Sequence, residues 1–398
     1  MMRHFRAGHL PPGFDAGGQW HTLRFASGGG ELVVDVPVIG PDRMKVLARQ
    51  VREAGAKVLA PLRVSDIIAL VDRATARLLD ARDPLRREAD TLLPLVTGFD
   101  PEMVQRGLQA YLQAFRGPQL HRFVAEDFAN PKVLDEFQPA PKGGAVRAFG
   151  PGLLVHSWAG NVPGLPLWSL CCGLLVKAGN IGKLPSAEPV FATLAARALA
   201  DVHPPLAQAM AMVWWQGGQT EPAATLFGEA DAVLAYGGDE AIAQVRAQVS
   251  ATTRFLAYGH RLGVALVGRC ALDAHRGPAA ARGVAHDVTR WEQQGCYSPQ
   301  VVYVERGAST GPAAFARYLA SELAALAHRH PPRLRSLEQS SALAAWRQSA
   351  ELRALEPGAE LLGDDAGAWS VAFSDGPRPL APTAGMRSVQ VVALDRLE

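Results

Sequence analysis

Trp291-Glu292-Gln293-Gln294-Gly295-Cys296-Tyr297-Ser298-Pro299-Gln300-Val301-Val302-Tyr303-Val304 sets a thiol between a helical run and an apolar strand. The helical segment, about His286 to Gln293, feeds into the loop, and Val301 to Val304 reads as the strand. A cysteine held between two regular elements is well placed to face a cleft. Gly295 removes side-chain bulk beside the sulfur, so another molecule can approach it closely. Taken alone, the stretch admits two readings. Cys296 is a nucleophile, or it is a structural cysteine of the kind usually found buried.

The chain has 398 residues, 48% apolar and 20% charged, the composition of a globular protein with two or three domains' worth of core. Forty basic residues stand against 38 acidic ones, a formal charge of +2, and no basic cluster argues for nucleic-acid binding. The first residues, MMRHFRAGHLPPGFDAGG, contain no signal-peptide-like apolar core. The longest apolar run, Val162 to Val176, is too short for a membrane span and holds two prolines, so a buried helix is expected there. The cysteines, Cys171, Cys172, Cys270 and Cys296, lack zinc-ligand spacing. Core packing suits the adjacent pair, and a reduced, cytoplasmic protein is expected.

Outward from the loop, the chain divides by texture. Glu31 to Ile39 alternates as an edge strand, and residues 42 to about 127 are helical, with Ser65 the expected N-cap of one helix. From Pro141 onward strands and helices alternate: Gly152–His156, Pro163–Lys177, Gly179–Leu184, Pro189–Ala200, Met210–Trp215, Pro222–Phe227, Ala232–Tyr236 and Asp239–Val249. That alternation predicts a doubly wound parallel sheet covered by helices, with ligands at the carboxyl ends of its strands. A second strand-helix region begins at Leu262, giving domains 1–262 and 263–398. It includes helices over Pro312–His328 and Arg333–Leu355 and a final strand at Arg387–Leu394. The chain stops four residues past that strand, which reads as a shortened C-terminal end.

Three strand ends carry polar groups: His156 to Pro163, Gly182 to Pro189 and Tyr236 to Glu240. In the last, Gly237-Gly238 opens a helix. Such a pair is either an ordinary turn or a place where backbone N–H groups meet a phosphate. No GxGxxG fingerprint follows the first strand.

Four stretches resemble the LuxC-type fatty-acyl-CoA reductase family, a branch of the aldehyde dehydrogenase superfamily. They are AGNVPGLPLWSLCCGLLVKAGNIGKLPSAEP (Ala159 to Pro189), YGGDEAI (Tyr236 to Ile242), WEQQGCYSPQ (Trp291 to Gln300) and RSVQVV (Arg387 to Val392). The resemblance covers most of the chain from about residue 140. It implies an aldehyde-dehydrogenase-like α/β fold: two doubly wound, Rossmann-like domains with parallel sheets, after a helical N-terminal region. The first would bind NAD(P) and the second would carry the catalytic cysteine. Cys296 would be the acyl-accepting thiolate. Asn161 would hold the oxyanion together with the backbone N–H of the cysteine, although an asparagine there is equally suited to capping the next helix. Lys183 would contact the adenosine ribose or a 2′-phosphate, with Ser186 and Glu188 beside it. Gly237 and Gly238 would receive the pyrophosphate, and Trp158 would flank the site.

Aldehyde-oxidising members carry a glutamate base where this chain reads Phe255-Leu256-Ala257-Tyr258-Gly259-His260. A dehydrogenase needs that base to activate water, whereas a reductase does not. The expected activity is therefore reduction of an acyl thioester, on CoA or a carrier protein, by NADPH, with NADH as the other possible donor. His156 and His260 are candidate proton donors. An NAD(P)-dependent aldehyde dehydrogenase and a non-catalytic acyl-binding subunit are the alternatives. An acyl-transferase or synthetase partner and a homo-oligomer fit the same reading.

Overall fold

The computed structural model describes residues 2–27, 30–218 and 220–397. The chain forms two compact units, Met1–Thr97 with Gln105–His260, and Gly98–Val104 with Arg261–Glu398.

The first unit opens with β1 (Met2–Arg6), β2 (Trp20–Ser27) and β3 (Gly30–Pro37). Leu32, Val34 and Val36 of β3 are buried on the period of two that the sequence displays. β3 pairs parallel with β1 and antiparallel with β2. The helical stretch becomes α1 (Pro41–Ala54), α2 (Val64–Leu79), α3 (Pro84–Thr97), α4 (Pro101–Leu112) and α5 (Gly117–Asp127). Ser65 does not cap α2. The N-cap is Arg63, two residues earlier, where Asp66 accepts from the Arg63 backbone N–H at 3.1 Å and Asp135 from that of Val64 at 3.0 Å. A carboxylate brought from 71 residues away thus takes the part expected of a local hydroxyl.

After a short ribbon, β4 (Gln138–Pro139) and β5 (Ala145–Val146), the chain alternates strand and helix. The elements are β6 (Leu153–Ser157), α6 (Leu165–Leu175), β7 (Gly179–Lys183), α7 (Val190–Val202), β8 (Met210–Val213), α8 (Thr220–Glu229), β9 (Ala232–Tyr236), α9 (Asp239–Arg246) and β10 (Arg254–Tyr258). The strands form one parallel sheet in the order β10-β9-β6-β7-β8. β6 has β7 on one side and β9 on the other, so the crossovers diverge there. This is the switch point at which a doubly wound sheet opens a crevice. Leu153, Val155, Ile181, Val213 and Val233 pack with α1 and α8 on one face.

The second unit contains β11 (Gly263–Val267), α10 (Arg276–Thr289), β12 (Pro299–Glu305), α11 (Pro312–Arg329), α12 (Leu337–Arg353), β13 (Ala359–Gly363), β14 (Ser370–Ser374) and β15 (Ser388–Leu394). Their order is β11-β12-β15-β14-β13. Four strands run parallel, and β13 is antiparallel to β14 at one edge. The sequence pattern does not announce the β13–β14 hairpin. α10 and α11 bury Ala285, Val288, Phe315, Leu319 and Leu323 against Val302, Val304 and Val391. The helix expected over Arg333–Leu355 starts later, at Leu337, where Ser336 and Gln339 form a reciprocal capping box.

Candidate active site

α10 ends at Thr289 rather than running on to Gln293. Trp291, Glu292 and Gln293 take φ values of 53°, 54° and 61°. Each left-handed L-residue costs roughly 1–2 kcal/mol, so a run of three needs strong tethers. Trp291 is completely buried and lies 5.9 Å from the Phe99 ring. Glu292 and Arg387 form a bidentate pair, Nη2 to Oε1 at 2.6 Å and Nε to Oε2 at 3.2 Å. The Gln293 amide donates to the carbonyls of Pro299 (2.7 Å) and Ser388 (2.8 Å) and accepts from the Ser388 N–H (2.9 Å). It thereby joins the first residues of β12 and β15.

The chain then closes a turn, with the Ser298 N–H donating to the Gly295 carbonyl at 2.9 Å. Cys296 and Tyr297 occupy its two central positions and are exposed. A Cβ on Gly295 would stand 3.0 Å from the Tyr297 ring and 3.2 Å from the Ser298 Oγ, so bulk there would press on the turn. Cys296 is therefore not a packed core cysteine. Cys171 is buried and its thiol is pushed far up by burial, and Cys172 is pushed up to about 11, chiefly by burial. Both stay protonated at neutral pH, while Cys270 is exposed.

In the first unit, the carboxyl edge of the central sheet gathers the expected strand ends. Ser157 pairs in register with Lys183 on one side and Ala235 on the other. Lys183 is half-buried, its Nζ 5.6 Å above the Trp215 ring, and burial pulls its pKa down. Ser186 is exposed and its Oγ accepts from the Trp214 indole N–H at 3.0 Å. Asn161 lies in the β6–α6 loop and does not cap the helix, because the N-cap is Gly164 at φ 94°. Gly238 is the N-cap of α9, with open space where a Cβ would stand. Its φ of −68° is ordinary, so openness rather than backbone conformation makes glycine useful. The first-turn acids Asp239 and Glu240 oppose an anion at this end. A cation, a hydroxyl and open backbone on one sheet edge fit the ribose and phosphates of a dinucleotide.

Three expected site residues have other roles. Glu188 is buried, and its Oε1 accepts from the N–H groups of Val190 and Phe191 at 2.8 Å each. It caps α7 and offers nothing to a ribose. Burial raises its pKa to about 8 despite those two bonds. Trp158 is also buried, donating to the Ser169 Oγ at 2.8 Å and packing over Gly182, so it does not flank an open site. His156 is fully buried against Asn180 and pushed down to about 4 by burial, which removes it as a proton donor. His260 is exposed. The roles of Glu292, Gln293 and Arg387 do not emerge from the sequence. The one available signal is an arginine immediately before a strand rich in apolar residues, Ser388 to Leu394.

The acyl-CoA reductase (LuxC) family model matches residues 59–398. A long-chain acyl-protein thioester reductase of Photobacterium leiognathi is 32% identical over 188 residues, 46% of this chain and 38% of that protein. The corresponding protein of Vibrio harveyi is 27% identical over 251 residues, 62% of this chain and 51% of that protein. The matched stretches thus span about half or less of these relatives. An aldehyde dehydrogenase from Brucella melitensis biovar abortus superposes with a TM-score of 0.72 at 15% identity, over 98% of this chain and 80% of the other. An indole-3-acetaldehyde dehydrogenase solved with NAD+ gives 0.73 at 14% identity, over the same shares. The chain has an aldehyde-dehydrogenase-like fold and belongs to the acyl-CoA reductase (LuxC) family.

Proposed function

We propose that this chain reduces a fatty acyl thioester to the aldehyde through an acyl group carried on Cys296. The observation that carries the reading is the exposure of Cys296 at the apex of a tethered turn, while Cys171 is buried and Cys172 half-buried, both held as thiols. The Cys296 thiolate attacks the acyl carbonyl, the C–S bond to the carrier breaks, and the carrier leaves as a thiolate. One thioester replaces another, so this exchange is nearly balanced in energy. Asn161 donates to the oxyanion of the tetrahedral intermediate. A bound nicotinamide would supply hydride to the acyl carbon. The resulting alkoxide re-forms its carbonyl and expels the Cys296 thiolate, releasing aldehyde. That collapse needs no proton from the protein, in keeping with the neutral, buried His156.

Lys183, Ser186 and the start of α9, open at Gly238 and preceded by Gly237, would hold the dinucleotide, and a cation at Lys183 favours the extra phosphate of NADPH. β10 and the two residues after it, Arg254 to His260, include no carboxylate to activate water, which favours reduction over aldehyde oxidation. The similarity to long-chain acyl-protein thioester reductases supports a long-chain acyl group delivered on a protein. A CoA thioester is the small-molecule equivalent, and an acyl-transferase or synthetase partner and self-association belong to the same proposal. The test is thioester-dependent NADPH oxidation with the aldehyde trapped as its hydrazone. Activity lost in Cys296→Ser supports the reading. NAD+-dependent oxidation of free aldehyde, with no response to thioester, would replace it with a dehydrogenase.

A further inference from the structure

The turn bearing Cys296 is held from behind by groups that cannot touch a substrate. Arg387 is completely buried and Glu292 nearly so. The guanidinium directs Nε and Nη2 at the Glu292 carboxylate, and Nη2 also donates to the His330 carbonyl at 2.8 Å. The His330 ring in turn meets the Asp100 carboxylate at 2.8 Å, and Asp100 caps the start of α4 through the Met103 N–H at 2.9 Å. Both ends of the pair are left-handed: Trp291 to Gln293 on one side, Met386 and Arg387 (φ 54° and 63°) on the other. Left-handed L-residues on both partners persist only where surrounding contacts hold them, and this pair is the contact that joins the two runs. Gln293, next to Glu292, binds the backbone of Ser388, next to Arg387, in both directions. The two clamps therefore join the same two segments at adjacent positions, three and four residues before the thiol.

We propose that Arg387 is a positioning residue for Cys296, fixing through Glu292 the left-handed run that aims the turn. A fork is required. The planar guanidinium serves both carboxylate oxygens and the His330 carbonyl from one buried place in a fixed fork geometry. A lysine keeps the charge but loses the bidentate geometry. Removing one partner strands a buried charge, whereas replacing both with apolar groups of similar volume often leaves stability intact. That distinction separates aiming from folding.

The proposal rests on the acyl-cysteine reading for its consequence, but the tether can be read without it. The full chain would be compared with Arg387→Lys and with the double variant Glu292→Leu, Arg387→Met. Amide hydrogen exchange over residues 291–298 should speed at least tenfold in both, while peptides from β6 to β10 stay as in the parent. The rate constant for acylation by a saturating acyl-CoA, read by mass, should fall at least tenfold, with the half-saturating concentration within about twofold. The double variant is expected to keep its thermal midpoint, which guards against simple unfolding. Unchanged exchange in residues 291–298 overturns the proposal, whatever happens to acylation. Raised exchange with undiminished acylation overturns it too. Raised exchange together with no acylation in the parent keeps the tether and sinks the acyl-cysteine reading instead.

Discussion

Burial holds the Glu188 carboxyl largely neutral near pH 7, and the sign of its effect on stability can be measured. Its pKa is raised from 4.5 to about 8. Stability from keeping it protonated is complete below the ordinary value of 4.5 and is lost as pH rises through about 8. Glu188→Gln keeps an oxygen for the Val190 and Phe191 N–H groups and removes the titration. Urea unfolding at pH 5, 6.5 and 8 should show the variant gaining on the parent as pH rises. A constant gap would mean that the carboxyl titrates normally. His156 acts in the opposite direction, being pushed down to about 4, so stability is lost as pH falls from its ordinary 6.5 toward that value. Comparing the two proteins at each pH cancels its contribution. At this scale the sequence is partly legible. Cys296 stands out because a Gly-Cys pair precedes an apolar strand. Glu188 and Trp158 fall on the cofactor side in a sequence reading because spacing along a loop does not say which way a side chain turns. The Glu292–Arg387 pair spans 95 residues, beyond the reach of any local pattern.

Elements in this fold meet at glycines, and two substitutions should act in opposite directions. A Cβ on Gly179 in β7 would stand 2.4 Å from the Val51 carbonyl oxygen and 2.9 Å from its carbon, both backbone atoms of α1. Gly179→Ala forces strand and helix apart and should cost about 1–3 kcal/mol. Gly283 lies inside α10, exposed, with nothing within 4 Å of the place a methyl would take. Gly283→Ala should stabilise by about 0.5–1 kcal/mol through helix propensity alone. Denaturant midpoints of the two variants test both, and a destabilised Gly283→Ala would mean that α10 is not a simple surface helix there. The strands β6, β8 and β9 can be read because each is a short apolar run bounded by turn residues, and β7, with Ile181 its one large apolar residue, is legible from its place in the strand-helix alternation. β2, β10 and the β13–β14 hairpin escape. β2 and β10 are edge strands with much of their length exposed; β2 interleaves polar residues throughout, and β10, although Phe255 to Tyr258 is apolar, is a short run followed by Gly259 that reads as the end of the preceding region. β13 follows Pro357-Gly358 and runs into Gly363-Asp364-Asp365, which read as loop.

For the molecule as a whole, the sequence signals two sheets and a candidate nucleophile, and the fold supplies an aldehyde-dehydrogenase-like frame for them. Cofactor choice is the property most open to a single change. If Lys183 recognises a 2′-phosphate, Lys183→Ala should raise the KM for NADPH about tenfold or more, the worth of one charge-assisted hydrogen bond, and leave that for NADH within about twofold. Equal losses for both cofactors would assign Lys183 to the ribose or to packing on Trp215. The central claim, that Cys296 carries the acyl group, is tested most directly by the intact mass of the protein after mixing with a long-chain acyl-CoA, and again after adding NADPH. The expected result is one acyl adduct, mapped to Cys296, that disappears with NADPH as aldehyde is released. An adduct on Cys270 instead, or no adduct on a folded chain, would contradict the claim.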